Sequence, residues 1–452
     1  MSAVDLLVVG GGVAGLGAAW RAVERGASVA LLEARERVGG LVWTERTDGF
    51  VIERGPESFL TRDPILLELS EALGLTDRLV KTNAQGAFVV HRGRLEKIPA
   101  GFQLLAPLNA GAFWRSTLVS RRGKLRALFE PWLPTRPRDD ESLASFVRRR
   151  FGEEVLDRLA QPLASGIYGA DPARLGLRST LPRFLDAEAQ GGVIRGLRAQ
   201  AGTEDRAAGA RYGLFASYDG GMEVLTEGYA AALGDRVRTG VAVERLERTV
   251  GGWVAHTDGG PVEARTLLLA TPAPVSARLV EDLDPTLAAH LRAIPLGSAA
   301  TATFAYEASA LPELTTAGFV VPAVEGSAVL ACTFSSAKWP HRAPEGKHLV
   351  RVFLGGHTNQ DVVHLSDEAL LRLARRGLRE LLGVTASPLF DRVDRWKGAM
   401  PRYEVGHHRR IARIDAAVAA LGPVRLAGVA YHGVGLPAVT RWARDATDTL
   451  LQ

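Results

Sequence analysis

Cysteine is nearly absent: the 452 residues contain one, Cys332. A single thiol excludes a disulfide framework within the chain and a cysteine-built metal centre, and it fits a cytoplasmic setting. Cys332 follows Val329-Leu330-Ala331, which reads as a buried strand rather than the polar, cationic setting of a reactive thiolate. Long apolar runs are missing as well. The stretch from Leu6 to Trp20 carries Gly10, Gly11, Gly12, Gly15 and Gly17 and is too short and glycine-rich to span a bilayer. The opening MSAVDLLVVGGG has no basic segment before its apolar run, so no secretory leader is expected. There is no nucleophile elbow and no metal-ligand spacing, and the ten histidines are scattered apart from His407-His408. No zinc-finger, RNA-binding or helix-turn-helix signature occurs, so nucleic acid is not an expected partner.

What is present is a globular composition, 46% hydrophobic and 23% charged, which excludes disorder. The length suggests two or three domains at roughly 100–200 residues each. The net charge of +5 is carried mainly by arginine. It reads either as a bias of composition or as a field that suits an acidic partner, such as a carboxylated substrate or an anionic membrane surface. The basic runs Arg148-Arg149-Arg150 and His407-His408-Arg409-Arg410 lie in helical, apolar-periodic text.

Residues 4–9 (VDLLVV) predict a buried parallel strand, Val13 to Arg25 a helix stopped by Gly26, and Ser28 to Glu33 a second strand. A helix is expected from Asp63 to Leu79 with Gly74 as its stop, and a hairpin over Phe88–Pro99 turning at Arg92-Gly93. Residues 101–215 read as mainly helical, with a polar, mobile loop around Ala199–Arg211. Alternating segments at 237–246, 253–257, 266–270, 299–306, 316–334 and 347–355 predict strands. Ser366 is placed as the N-cap of a helix to Leu382, with Asp367 and Glu368 in its first turn. The chain closes as it opens, with strand Val424–Ala427, Gly428 and a helix from Pro437. Matching ends around a different middle predict a discontinuous nucleotide domain with insertions.

The strongest local signal is Gly10-Gly11-Gly12-Val13-Ala14-Gly15, a G-x-G-x-x-G between a strand and a helix. Gly10 permits the tight turn, Gly12 lets the backbone approach a diphosphate, and Gly15 lets helix and strand pack closely. The helix N-terminus offers free N–H groups to the phosphates. Glu33 ends the second strand, where a carboxylate accepts from a ribose hydroxyl and disfavours the extra phosphate of NADP.

Glu33-Ala34-Arg35-Glu36-Arg37-Val38-Gly39-Gly40 then runs straight into a second glycine pair. This pattern resembles the FAD-dependent amine oxidases, carotenoid desaturases and protoporphyrinogen oxidases. Further stretches resemble the porphyrinogen oxidases in particular: Gly55-Pro56-Glu57-Ser58-Phe59-Leu60, Gly166-Ile167-Tyr168-Gly169-Ala170-Asp171, Tyr218-Asp219-Gly220-Gly221-Met222, Trp396 through Pro401-Arg402-Tyr403-Glu404-Val405-Gly406-His407, and Gly428-Val429-Ala430-Tyr431-His432-Gly433-Val434-Gly435-Leu436. The likeness runs the length of the chain. Leu330 through Lys347 resembles the bacterial type that forms coproporphyrin III. Ala87 stands where protoporphyrinogen oxidases carry a propionate-binding arginine, which also favours that type.

The resemblance implies an α/β fold: a discontinuous Rossmann-like FAD-binding domain of the p-hydroxybenzoate hydroxylase kind (1–60, 216–281, 420–452), an α+β substrate domain (61–95, 175–215, 282–419) and a helical domain (96–174). It implies FAD as cofactor, held by Gly10–Gly15, Glu33, Ala34, Arg37, Gly39, Gly40, Gly55, Pro56, Glu57, Ser58, Val243, Trp396, Gly428, Val434, Gly435 and Leu436. It places Leu163, Ile167, Gly318, Val320 and Phe353 around a macrocycle. Lys338, Arg183 and Arg195 are candidate propionate anchors, and His432 is polar support beside the flavin turn. The flavin itself is the catalytic group, and no metal is expected. The implied reaction is oxygen-dependent, six-electron oxidation of coproporphyrinogen III, with hydrogen peroxide as by-product. A protoporphyrinogen IX oxidase is the first alternative. An amine oxidase or carotenoid desaturase and a non-catalytic tetrapyrrole-binding flavoprotein are others. Implied partners are the porphyrinogen, O2 and a ferrochelatase-type protein. Peripheral membrane contact is a further implication, since Phe102, Leu104, Leu105, Phe113 and Trp114 read as an exposed patch, a substrate entrance or core.

Overall fold

The computed structural model describes residues 3–84, 86–204, 214–356 and 359–452. The first strand, Val4–Val9, sends Leu6 and Val8 into one apolar core and Leu7 and Val9 into another, as a side-chain period of two requires. Covered on both faces, it pairs in parallel with Val29–Leu32 on one side and with the end of Gly260–Leu269 on the other. Val237–Arg238 extends the sheet at one edge, and Val424–Leu426 pairs in parallel with the end of Gly260–Leu269. The beginning of Gly260–Leu269 instead lies antiparallel to Gly252–Thr257, which pairs with Val243–Thr249.

The helix Val13–Glu24 covers one face of this sheet beside the final helix, Leu436–Leu450. The two helices meet at Gly17, where a Cβ would be in ordinary contact with Thr440 Cγ2 at 3.4 Å. Arg21 and Arg25 pair with Asp448, and Arg444 pairs with Glu24. The two ends of the chain therefore build one layer, as the matching strand–glycine–helix texts predict.

A second sheet runs in the order Phe390–Pro401, Leu296–Glu307, Lys347–Gly355, Val329–Thr333, Gly318–Val320, Phe88–His91, Arg94–Lys97. One of its faces, with Phe319, Cys332, Val352 and Ala302, packs beneath the helix Asp367–Leu382. The Ser366 hydroxyl accepts from the Ala369 N–H at 3.3 Å and caps that helix as expected. The predicted hairpin turns at Arg92 and Gly93, both with positive φ (53° and 72°), the backbone a two-residue type I′ turn requires.

Helices between Ala110 and Glu204 enclose a further core around Phe146, Leu159 and Phe184. The Arg148–Arg150 run is absorbed here. Arg148 pairs with Glu153, Arg149 bridges Glu141 and Glu188, and the buried Arg150 pairs with Glu130.

Two expectations are corrected. The helix predicted for 63–79 spans only Ile65–Ala72: Gly74 turns with φ +70°, and the chain then makes a strand at Leu79–Lys81. The loop predicted around Ala199–Arg211 begins as helix, since Val193–Glu204 covers its first residues; residues 205–213 lie outside the described residues. Of the residues read as exposed patch, entrance or core, Leu105 and Phe113 lie in the core, Phe102 and Leu104 are half-buried, and Trp114 is 45% exposed. Among the described residues, no helix is long and apolar enough to cross a membrane.

Candidate active site at the carboxyl edge of the nucleotide sheet

Val9 lies level with Leu32 and Leu269, and Leu269 with Leu426. The residues that follow, Gly10, Glu33, Ala270 and Ala427, therefore emerge along one edge of the sheet. This is where parallel α/β sheets bind dinucleotides. Gly10 turns at φ +107°, and a Cβ there would strike the Ala270 carbonyl oxygen at 2.7 Å. A Cβ on Gly15 would stand 1.9 Å from the Gly10 oxygen, so strand and helix meet backbone to backbone. Gly12 differs: it has ordinary extended backbone (φ −71°, ψ 177°), and a Cβ would meet nothing within 4 Å. It caps Val13–Glu24 without a side-chain hydrogen bond, and the first turn, Val13-Ala14-Gly15-Leu16, carries no acid. An open space before uncapped helix N–H groups fits a diphosphate.

Glu33 Oε2 accepts from the Gly11 N–H at 2.6 Å, and Oε1 accepts from the Arg35 N–H. The carboxylate thus stands at the mouth of the glycine turn, beside exposed Ala34. Backbone bonds tie residues 33–35 to 238–241, which leads into Val243. Gly39 donates to the Gly11 carbonyl and forms a parallel bridge with Gly12, while a Cβ on Gly40 would stand 3.2 Å from Gly12 Cα. The second glycine pair is therefore packed onto the first. Arg37 holds this turn in shape by donating to the carbonyls of Val38, Gly40 and Val42, and it lies over the Trp43 ring.

Residues 53–58 run alongside. A Cβ on Gly55 would stand 1.8 Å from the Leu41 oxygen, so only glycine fits. Trp396 Nε1–H donates to the Arg54 carbonyl at 3.0 Å, and Arg351 donates to the Arg54 and Gly55 carbonyls at 2.8 and 2.7 Å. Pro56 and Ser58 are half-buried. Glu57 accepts from Trp339 Nε1–H at 2.7 Å and pairs with Lys338 at 3.2 Å. Burial pushes the Glu57 carboxyl up, but Lys338, Arg351 and Arg342 outweigh it and hold it below the usual carboxylate range. Glu53, paired with Arg342 at 3.1 Å, is instead raised by its burial. Part of the Lys338 charge is thus taken up by Glu57.

At the other end of this edge, Gly428 (φ +136°) and Gly433 (φ +137°) shape the loop into the final helix. Gly435 caps that helix without a side-chain bond, and no acid stands in its first turn. Val434 and Leu436 are half-buried and Gly435 is exposed. His432 stacks on Trp442 at 3.5 Å and lies 3.3 Å from Asp415.

The second sheet turns its other face inward. Val320, Ala331, Phe353, Thr301 and Asp394 are level across successive strands, as are Gly318, Thr333, Arg351, Thr303 and Arg392; level residues share a face. The helix Gln161–Tyr168 lies against it, since a Cβ on Gly166 would be 3.8 Å from Val320 Cγ1. Gly318, Val320 and Phe353 thus share one face of the sheet, and the helix that carries Leu163 and half-exposed Ile167 packs against it at Val320. Gly318 (φ +145°) cannot carry a side chain, because a Cβ would stand 2.0 Å from the Cys332 oxygen. Arg195 is exposed on Val193–Glu204, and Arg183 lies over the Phe184 ring.

Sequence reading missed Arg342, Arg351, Asp394 and Tyr403. The first three interlock with Glu53, Arg54 and Glu57 between the two sheets. No local spacing announces them, because their partners are hundreds of residues away. Tyr403 did lie within a quoted motif, but its contacts were not legible there.

The family described as flavin containing amine oxidoreductase matches residues 13–451. The chain is 32% identical over 446 residues to the coproporphyrinogen III oxidase of Bacillus subtilis (strain 168), covering 96% of this chain and 94% of that one. It is 34% identical to the coproporphyrinogen III oxidase of Propionibacterium freudenreichii subsp. freudenreichii, covering 99% and 90%. A solved structure from Exiguobacterium sp. 255-15, assigned as a protoporphyrinogen oxidase, superposes with TM-score 0.88 at 33% identity over 100% of this chain and 99% of that one. Putrescine oxidase shares the fold alone, with TM-score 0.73 at 19% identity over 99% and 98%. A glycine turn open before an uncapped helix end, a second uncapped helix end on the same sheet edge and these full-length likenesses lead to one assignment: the chain belongs to the flavin containing amine oxidoreductase family, in its porphyrinogen oxidase branch, and is an FAD-dependent oxidase.

Proposed function

We propose that this protein oxidises coproporphyrinogen III to coproporphyrin III in haem biosynthesis, with O2 as final acceptor and hydrogen peroxide released. The observation that carries the reading is near-full-length identity of 32–34% to two coproporphyrinogen III oxidases. The reading takes the three-part domain division given above. Along the sheet edge, Gly12–Ala14 would hold the diphosphate of FAD, Glu33 a ribose and Val434–Leu436 the ring. When bound, the flavin supplies a hydride acceptor.

A porphyrinogen carries sp³ carbons between electron-rich pyrroles. Each two-electron step removes one hydride from such a carbon and one proton from the macrocycle, and O2 takes up both as peroxide. Three such steps, with tautomerisation between them so that a bridging carbon also gives up a proton, give the aromatic ring. The chain's own task is positioning in an apolar, water-poor site. Leu163, Ile167 and Val320 form an apolar wall, and Phe353 faces the same space. Gly318 keeps the sheet surface low where a ring must lie flat. Arg351 and Trp396 fix the 54–55 backbone between wall and cofactor. For the substrate carboxylates, Lys338, Arg183 and Arg195 remain the proposed anchors, Lys338 being the one that also pairs with Glu57.

Protoporphyrinogen IX is the second substrate reading, favoured by 29% identity to protoporphyrinogen oxidase 1 of Arabidopsis thaliana. Docking to a ferrochelatase-type partner or to a membrane, through exposed Trp114, Leu125, Phe129 and Trp132, belongs to the same proposal. The test compares porphyrin fluorescence growth on the two porphyrinogens at equal enzyme. Faster growth on coproporphyrinogen III supports the assignment, and a preference for protoporphyrinogen IX overturns it.

A further inference from the structure

The loop from Gly428 to Gly435 has left-handed glycines at both ends of its central part, Gly428 at φ +136° and Gly433 at φ +137°. Glycine is free in such backbone, so the loop needs an outside constraint to hold one shape. The structure supplies it through one hydroxyl. Tyr403 Oη–H donates to the Val429 carbonyl at 2.8 Å, and Tyr403 Oη accepts from the Gly433 N–H at 2.9 Å. One atom thus closes the span between residues 429 and 433.

Tyr403 is itself immobilised from three sides. It follows the end of strand Phe390–Pro401, and Arg402 N–H donates to the Pro295 carbonyl. Its own carbonyl accepts from the Gly176 N–H at 2.7 Å. Its ring, 2% exposed, stacks on His407 at 4.0 Å with an interplanar angle of 14°. Burial pushes the Tyr403 hydroxyl well above the usual phenol range, so it keeps the proton that it donates to Val429.

Beyond Gly433 the loop delivers Val434, Gly435 and the first turn of helix Leu436–Leu450. That helix end has no capping side chain and no acid, so its partial positive charge is free to act on a bound anion. We propose that Tyr403 is a positioning residue for the flavin: by bridging Val429 and Gly433 it aims the N-terminus of the last helix at the end of the ring that becomes negative on reduction. This rests on the proposed placement of the ring at Val434–Leu436.

The test is the two-electron midpoint potential of the FAD-loaded protein, measured by dye equilibration in Tyr403→Phe. The variant keeps the ring and its stack on His407 but loses both bonds of the hydroxyl. The expected result is retained FAD with the equilibrium for flavin reduction weakened about tenfold, a fall of ~30 mV for a two-electron couple. Gly433→Ala perturbs the same loop from its other side, because its Cβ would stand 2.7 Å from Ala438 Cβ. It should shift the potential in the same direction, and it serves if Tyr403→Phe folds poorly. An unchanged potential in a folded, FAD-loaded variant overturns the inference. Failure of the unaltered protein to take up FAD would instead overturn the placement on which the inference rests.

Discussion

Two glycines three residues apart in the same turn should fail in opposite ways. Gly12 has backbone that any residue adopts and no neighbour within 4 Å of a Cβ, whereas a Cβ on Gly15 would stand 1.9 Å from the Gly10 oxygen. In Gly12→Val the apoprotein should keep its stability within about 1 kcal/mol, the scale of an N-cap change. The new side chain fills the space before the helix end. It removes the diphosphate's interaction with the helix dipole, about 1 kcal/mol, and about two charge-assisted bonds to N–H groups, about 1.5 kcal/mol each at the low end. The sum of about 4 kcal/mol corresponds to about a thousandfold weaker FAD Kd. Gly15→Ala forces strand and helix apart and should cost the apoprotein about 3 kcal/mol by overpacking. Flavin fluorescence titration and denaturant unfolding of the apoproteins measure the two effects separately. The reasoning is refuted if Gly12→Val binds FAD as the unaltered protein does, or if its apoprotein is destabilised as much as that of Gly15→Ala.

His407 is 1% exposed, and burial lowers its pKa from 6.5 to about 4, with Arg410, His432 and His408 adding to the effect against a Tyr431 backbone bond. Between these values the unfolded chain binds the proton and the folded chain does not, so stability should fall as pH drops from 6.5 toward 4, by about 3 kcal/mol in all. Urea unfolding across that range should show a slope that His407→Phe lacks; parallel curves would contradict it. Lys338→Met leaves buried Glu57 short of its nearest cation and should cost about 3 kcal/mol of stability, readable as a lower denaturation midpoint; a neutral effect would contradict a structural role for that pair. Burial pushes the Cys332 thiol well above its usual range. Its alkylation by a neutral maleimide should therefore be negligible in the folded protein and prompt in denaturant, and prompt labelling of the native protein would show that the strand is open.

The parts legible in the sequence were those whose cause is local. Gly10 and Gly15 announced the turn because Gly15 must clear the Gly10 oxygen within the motif itself. Arg92-Gly93 announced the hairpin and Ser366 the helix start for the same reason. Where the cause is tertiary, the text was silent or misleading. Leu79 continues a helical spacing, yet it leaves the helix because it pairs with Tyr218 in a three-stranded sheet. Phe113 and Trp114 read alike, but adjacent positions on one helix send the first into the core and leave the second exposed. Lys338 and Glu57 were each singled out for a different role, substrate and cofactor. Only the fold shows them as a pair, with Arg342 and Arg351 completing a charge cluster that joins strands from distant segments. Arg148-Arg149-Arg150 stood out only as a basic run in helical text, and Arg149 and Arg150 are consumed by Glu130, Glu141 and Glu188.

On the proposed function, flavin held along the first sheet takes electrons from a reduced tetrapyrrole lying on the second. Anaerobic mixing of the FAD-loaded protein with coproporphyrinogen III in a stopped-flow spectrophotometer tests it in one step. The claim predicts that the flavin's visible absorption bleaches as porphyrin fluorescence appears, and that admitting oxygen restores the yellow colour. A flavin that stays oxidised in the presence of every porphyrinogen offered would contradict it.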